Sequence, residues 1–239
     1  MKSEVYYRQL ANYKNHWWFK SREIIIKNIL KKNLNKSVNI LDFGCGAGNN
    51  LNMLSEFGNV WAYDTNQEIL NILKKRNNKK RITFIKNLDK TNKKFDLIIA
   101  TDVIEHIQDD KKIINKFYKI LKNKGSLLIT VPAYNFLFST KDKDLHHKRR
   151  YTKSGLKIIL KNKFDIKIFS YYNFFLFFPI ASAILFFKFF RINFINKVEK
   201  KQNIFINYIM LKIFSFERFI INHFTFPFGI SIIFFGKKK

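Results

Sequence analysis

Residues 39–50 read Asn-Ile-Leu-Asp-Phe-Gly-Cys-Gly-Ala-Gly-Asn-Asn, and these residue types favour one kind of chemistry. An apolar run ends at Asp42, and glycines then alternate at 44, 46 and 48. Glycine has no side chain and tolerates positive φ, so the backbone here can pass close against a ligand. A helix that follows such a loop offers free N–H groups and the positive end of its dipole. The segment suits a nucleotide-like ligand carrying an anionic group. It is not a G-x-G-x-x-G dinucleotide fingerprint, because Asn49 stands at the third position of that pattern. Cys45, inside the loop, reads as a small packing residue and not as a nucleophile.

Three further groups carry chemistry. Val60–Asp64 reads as a second strand ending in an acid, and a carboxylate there can accept both hydroxyls of a ribose. Asp102, Glu105 and His106 have oxygen and nitrogen ligand types at spacing i, i+3, i+4, and His106 is a candidate base. The run His146-His147-Lys148-Arg149-Arg150-Tyr151 offers a second candidate base, His147, and two planar guanidinium forks suited to phosphate or carboxylate. His146, His147, Arg149, Arg150 and Tyr151 are therefore the candidate substrate-binding residues, one arginine for substrate and the other for an acidic neighbour.

These groups need a scaffold. Apolar runs near 38–43, 59–64, 82–86, 95–101, 125–131 and 164–170 predict strands, and 226–235 predicts a seventh. Helical spacing covers 3–15, 21–32, 49–57, 67–76, 109–122 and 154–161, and residues 132–152 form a long loop of the kind that is often functional. Strands alternating with helices imply an α/β fold, a parallel sheet covered on both faces. At 239 residues the chain can bury a full core. Its single cysteine excludes an internal disulfide, and the N-terminus lacks a cleavable signal, so a reducing cytoplasm is expected.

The composition changes after residue 163, where 20 of the 28 phenylalanines lie. Ile168–Phe187 runs 20 residues without a charge, long enough to span a bilayer. A single crossing would strand the last β-strand on the wrong side, and Pro179 interrupts the run, so an inserted helical pair at 171–225 is the better reading. In a helix over 204–222, Asn207, Lys212, Ser215, Arg218 and Asn222 form a polar stripe beside a wide apolar face, as in an interfacial helix. Lys188, Arg191, Lys197, Lys200 and Lys201 would meet anionic head groups, each contributing about 1 kcal/mol. The net charge of +28 fits an anionic membrane surface or nucleic acid.

The ordered set resembles class I S-adenosylmethionine (SAM) methyltransferases of the ubiquinone-methyltransferase-like kind. The loop at 42–48 is similar to their motif I, Phe95–Ile107 to their FDxIxxxxxxEH segment, and Leu121–Pro132 to their LKPGGxLxxxxP segment, with Asn123 and Ser126 departing from it. A narrower subgroup shares His16-Trp17-Trp18-Phe19-Lys20-Ser21-Arg22, the run 147–152 and Pro227–Ser231. The resemblance implies a Rossmann-like seven-stranded sheet with helices on both faces and a hydrophobic helical insert between strands six and seven. The expected parts are a helical lid at 1–34, a SAM-binding core at 35–170, the insert at 171–225 and a final strand at 226–239.

The resemblance also implies roles. SAM would lie on Asp42, Gly44, Cys45, Gly46 and Gly48, with its ribose on Asp64 and its adenine between Thr65 and the Asn87-Leu88 pair. Asp102, Trp18 and Arg22 complete the expected cofactor set. No metal is assigned, although the Asp102, Glu105 and His106 segment resembles one that can hold a divalent ion in ubiquinone-pathway relatives. The expected function is methyl transfer at the cytoplasmic membrane face to an amphiphilic or lipid-linked acceptor, such as a cell-envelope, glycolipid or quinone-type compound. An RNA methyltransferase is the first alternative, but the chain has no recognisable RNA-binding module, and its aromatics are not interleaved with basic residues. A non-catalytic SAM-binding membrane adaptor is the second.

Overall fold

The computed structural model describes residues 15–34, 37–77, 81–190 and 203–239. In chain order these form α1 (Trp17–Asn33), β1 (Val38–Phe43), α2 (Leu51–Leu54), β2 (Gly58–Tyr63), α3 (Gln67–Arg76), β3 (Ile82–Ile85), β4 (Phe95–Thr101), α4 (Asp110–Ile120), β5 (Leu121–Pro132), α5 (Thr140–Asp144), α6 (Lys153–Leu160), β6 (Phe164–Tyr172), α7 (Phe177–Phe189), α8 (Ile204–Phe216) and β7 (Ser231–Lys238). The seven strands make one sheet in the order β3-β2-β1-β4-β5-β7-β6. The first five run parallel, and β7 is antiparallel to both neighbours. The architecture is the expected Rossmann-like seven-stranded methyltransferase sheet.

Burial explains the order. Leu97–Ala100 of β4 and Leu127–Ile129 of β5 are buried on both faces, as central parallel strands must be. Strand order reverses between β1 and β4, and a ligand crevice forms outside the carboxyl ends of strands at such a switch point. The glycine loop leaves β1 there, and Asp102 leaves β4 beside it. Side chains start the helices: Asn66 caps α3 through the Glu68 and Ile69 N–H groups, and Thr152 caps α6 through Gly155.

Several elements differ from expectation. The helix at 49–57 shrinks to the single turn α2, because the glycine loop continues in turns up to it. The loop at 132–152 contains α5 and a 3-10 turn at Asn135–Leu137. Strand β7 begins at Ser231; Phe226 makes only an isolated bridge to Tyr171. The helix at 204–222 is α-helical only to Phe216 and closes with a 3-10 turn. The predicted helix at 3–15 falls almost wholly outside the described residues, as do Arg191, Lys197, Lys200 and Lys201.

The 20-residue uncharged run divides between β6 and α7, with a turn at Asn173, where φ is +56°. Among the described residues no helix is long and apolar enough to cross a membrane. Glu217, fully buried, fixes this turn by accepting the N–H groups of Asn173 and Phe174 at 2.7 Å and of Phe175 at 3.3 Å. The polar stripe of α8 faces inward more than was expected. Asn207 accepts the Trp17 N–H at 2.9 Å and donates to the Asn15 carbonyl at 2.7 Å. Ser215 is buried, and Asn222 donates to Asn28 at 2.6 Å. Asn207 and Asn222 dock the insert on α1 and the residues before it; the outward surface of α7 and α8 is apolar apart from Ser182, Lys188 and Lys212.

Candidate active site

The glycine loop is held open by backbone conformations that favour glycine. Gly44, Gly46 and Gly48 have φ of +72°, +51° and +78°. A Cβ on Gly44 would sit 2.6 Å from Val103 Cγ2, at the turn after β4. The Tyr63 carbonyl accepts the N–H groups of Gly44 (2.7 Å) and Cys45 (2.9 Å), which ties the loop to the end of β2. Asp64 shapes it further: Oδ2 accepts the Gly46 N–H and Oδ1 the Asn66 N–H, both at 2.9 Å. Burial pushes the Cys45 thiol well above its ordinary pKa, so it stays protonated and packs.

Asp42 is the unusual member. It is 1% exposed, and neither carboxylate oxygen has a hydrogen-bond partner among the described residues. Burial and then the Asp64 charge push its pKa up to about 7, against an opposing pull from Arg22. Arg22, also buried, pairs through Nη1 with Asp102, while its Nε is unpartnered among the described residues. Asp102 sits at φ +53° and accepts Thr130 Oγ1 at 2.9 Å. The end of the sheet thus holds a buried acid and a buried guanidinium nitrogen, both lacking partners among the described residues, beside a glycine cradle. That donor set fits a ligand carrying an ammonium and a carboxylate together, as the amino-acid end of SAM does.

A second group of side chains adjoins the first. Glu105, at the turn after β4, is fully buried, and burial raises its carboxyl well above the ordinary range. The His106 and His147 rings meet edge-on with centroids 4.6 Å apart. Burial, then His147, lowers His106 to about 4, so it is neutral at physiological pH. His147 Nε2 lies 3.9 Å from Glu105 Oε1, and its Nδ1 lies 2.8 Å from Asp142 Oδ1. The two candidate bases are therefore neighbours.

Other expectations change. Arg149 binds Asp110 Oδ2 at 3.0 Å and the Gln108 carbonyl at 2.7 Å. Arg150 grips both oxygens of Asp142 at 2.9 Å. Both forks are committed within the fold, so neither arginine offers a free anion site. Tyr151 is buried and donates to Asp110 at 3.0 Å, a packing role. His146 is exposed at φ +58°. The set Asp102, Glu105 and His106 is not assembled as spaced: Asp102 is taken by Arg22 and Thr130, and His147 stands with Glu105 and His106 instead. On the adenine side, Thr65 and Asn87 are exposed and Leu88 is buried, with Asn87 Oδ1 accepting the Asp89 N–H at 2.8 Å. Trp18 packs on Phe214 of α8 with centroids 5.5 Å apart.

Asp142, Thr130 and Asn50 were not singled out from the sequence. Asn50 donates to Thr101 Oγ1 at 3.0 Å and fastens the loop to β4. For Asp142 a signal existed. Ser139 and Asp142 have the spacing of a capping box, which starts α5 inside the presumed loop.

A family model described as a methyltransferase domain matches residues 17–164, more than half of the chain. The chain belongs to the methyltransferase domain family. It is a class I methyltransferase, and its methyl donor is SAM. The methyltransferase is 29% identical to an uncharacterized protein of Methanocaldococcus jannaschii, over 66% of this chain and 70% of that one. It is 32% identical to a ubiquinone biosynthesis O-methyltransferase of Bartonella tribocorum, over 39% of this chain and 40% of that enzyme. The second match therefore spans less than half of that relative. Among solved structures, the N-methyltransferase NodS of Bradyrhizobium japonicum, in complex with S-adenosylhomocysteine, superposes with a TM-score of 0.58. That likeness covers 98% of this chain and 97% of NodS at 14% identity, and is one of fold.

Proposed function

We propose that this methyltransferase works on the cytoplasmic face of a membrane and transfers the SAM methyl group to an amphiphilic or lipid-linked acceptor. Asp42 receives the ammonium of the donor and Arg22 Nε its carboxylate, against Gly44, Gly46 and Gly48. Asp64 takes the ribose hydroxyls, and Leu88 covers the adenine. Methyl transfer is an in-line displacement at a carbon that the sulfonium already activates, so the protein has to align the reactants and exclude water.

The observation that carries the membrane reading is the outer surface of the insert. Apart from the exposed Ser182 and Lys188, helix α7 is apolar all round, and it buries only Ala181. Phe189 is 81% and Ile204 85% exposed, and Phe178, Phe186, Phe190, Phe205, Phe216 and Phe224 join them. Exposed apolar area of this extent marks an interaction site, and a net charge of +28 favours an anionic surface.

Vesicle sedimentation tests it. The protein should pellet with phosphatidylglycerol vesicles and less with phosphatidylcholine. Burying one Phe side chain contributes about 2 kcal/mol, so Phe189→Glu or Phe205→Glu should weaken binding by at least roughly 30-fold. Equal pelleting of the substituted proteins would remove the membrane reading. Steeply salt-dependent RNA retention in its place would favour the nucleic-acid alternative.

A further inference from the structure

The segment after β5 carries a hydrogen-bonded pair that the donor site does not use. Asp142 Oδ1 receives His147 Nδ1 at 2.8 Å and Arg150 Nε at 2.9 Å. Its Oδ2 receives Arg150 Nη2 at 2.9 Å, the Ser139 N–H at 2.8 Å and Ser139 Oγ at 3.1 Å. Although burial opposes them, the His147 and Arg150 hydrogen bonds hold this carboxyl well below the usual carboxylate range. An ionised carboxylate only accepts, so Nδ1 carries a proton, and in the neutral ring Nε2 is the nitrogen with the lone pair.

That lone pair belongs to a side chain only 11% exposed. It faces the turn after β4, where Glu105 and His106 stand. Val103, the residue Gly44 abuts, belongs to the same turn. The pair therefore sits at the reactive end of the donor site. The charged and titratable groups around His147 are Glu105 and His106 from that turn, Asp142 from α5 and Arg150 from the following strand of loop. Burial raises the Glu105 carboxyl well above its ordinary range, and burial, then His147, lowers His106 to about 4, making it a weak base.

The geometry points to His147 Nε2 as the proton acceptor for a hydroxyl group, with Asp142 as its positioning residue and Arg150 as the clamp on Asp142. The acceptor class is thus an alcohol or phenol carried by an amphiphile, a deepening that rests on the methyltransferase reading. As the acceptor oxygen bonds the methyl carbon, the methyl–sulfur bond breaks and sulfur keeps the electron pair. The hydroxyl proton passes to Nε2, and the Asp142 anion stabilises the imidazolium that forms. An amine that attacks through its own lone pair has no need of this device before the transfer.

The test uses the full chain, methyl-tritiated SAM and phosphatidylglycerol vesicles carrying either 4-dodecylphenol or 4-dodecylaniline. His147→Asn keeps an N–H toward Asp142 while deleting Nε2, so the loop retains its anchor. It should lower kcat on the phenol by roughly 100-fold to 10,000-fold with SAM affinity unchanged. Asp142→Asn should lower kcat at least about tenfold and move the acidic limb of the rate profile to lower pH, with partial recovery in Asp142→Glu. Four results overturn the inference: His147→Asn within about threefold of the parent, far short of the loss of a general base; transfer to the aniline alone; SAM binding with transfer to neither probe; or activity abolished by a chelator and restored by a divalent ion. Failure of the parent protein to bind SAM would instead overturn the donor reading.

Discussion

Replacing Asp42 by Asn separates the cost of this acid to the fold from its service to the ligand. The folded pKa of Asp42 is about 7, raised from 3.8 first by burial and then by Asp64. A group whose folded pKa is raised contributes fully to stability below its unfolded pKa, and that contribution is lost as pH rises through the folded pKa. The window runs from about pH 4 to about pH 7. Three pKa units correspond to about 4 kcal/mol, at about 1.4 kcal/mol per unit. Asn cannot ionise and escapes this loss, while its buried amide adds a cost that does not vary with pH. The stability difference between Asp42→Asn and the parent should therefore swing by about 4 kcal/mol in favour of the variant between pH 4 and pH 7.5. Chemical denaturation of the SAM-free protein across that range measures it. In the ligand the sign reverses: a hydrogen bond to a charged group contributes about 1.5–3 kcal/mol, so the variant should bind SAM roughly 10-fold to 150-fold more weakly at pH 7.5. A stability difference that stays flat with pH would refute the buried, unpartnered acid; unchanged calorimetric affinity would refute its role toward the donor.

Glu217→Ala should cost about 2–4 kcal/mol in urea denaturation, because it strands the N–H groups of Asn173, Phe174 and Phe175 that now share one buried carboxylate; Glu217→Gln, with one acceptor oxygen left, should cost less. Gly44→Ala should abolish measurable SAM binding in calorimetry, since its φ of +72° and a Cβ 2.6 Å from Val103 would force the loop away from the turn after β4.

The sheet was legible because it depends on pattern. Apolar runs of strand length, broken by helical spacing, are enough to place β1 to β6 near their observed ends, and the Asp42–Gly48 segment marks the switch point. What pattern does not contain is pairing. Arg149 and Arg150 look like free forks in a basic run, yet their partners Asp110 and Asp142 lie 39 and 8 residues away. Asn207 and Asn222 look like a solvated stripe, yet they satisfy α1 across more than 190 residues. An i, i+3, i+4 spacing also says nothing of where the chain turns. Asp102 adopts φ +53° directly after β4, and its carboxylate is engaged by Arg22 and Thr130. The capping-box spacing of Ser139 and Asp142 was a local signal, and it marks the one helix that orients His147.

The same pairings explain why an apolar insert has a fixed place. Helix α7 has no polar face to orient it, and α8 has a narrow one. Orientation must then come from a few directional bonds at their bases. Glu217 supplies it at the β6 end, and α1 supplies it along α8. On α1, two adjacent residues divide the work: Ser21 Oγ donates to the Leu211 carbonyl of α8 at 3.2 Å, and Arg22 pairs with Asp102 beside the donor site. Successive side chains on a helix point about 100° apart, so one turn can face the insert and the site at once. The exposed apolar surface of the insert and the donor site are consequently held at a set distance by a single buried turn of helix, the geometry that the proposed action at a membrane surface requires.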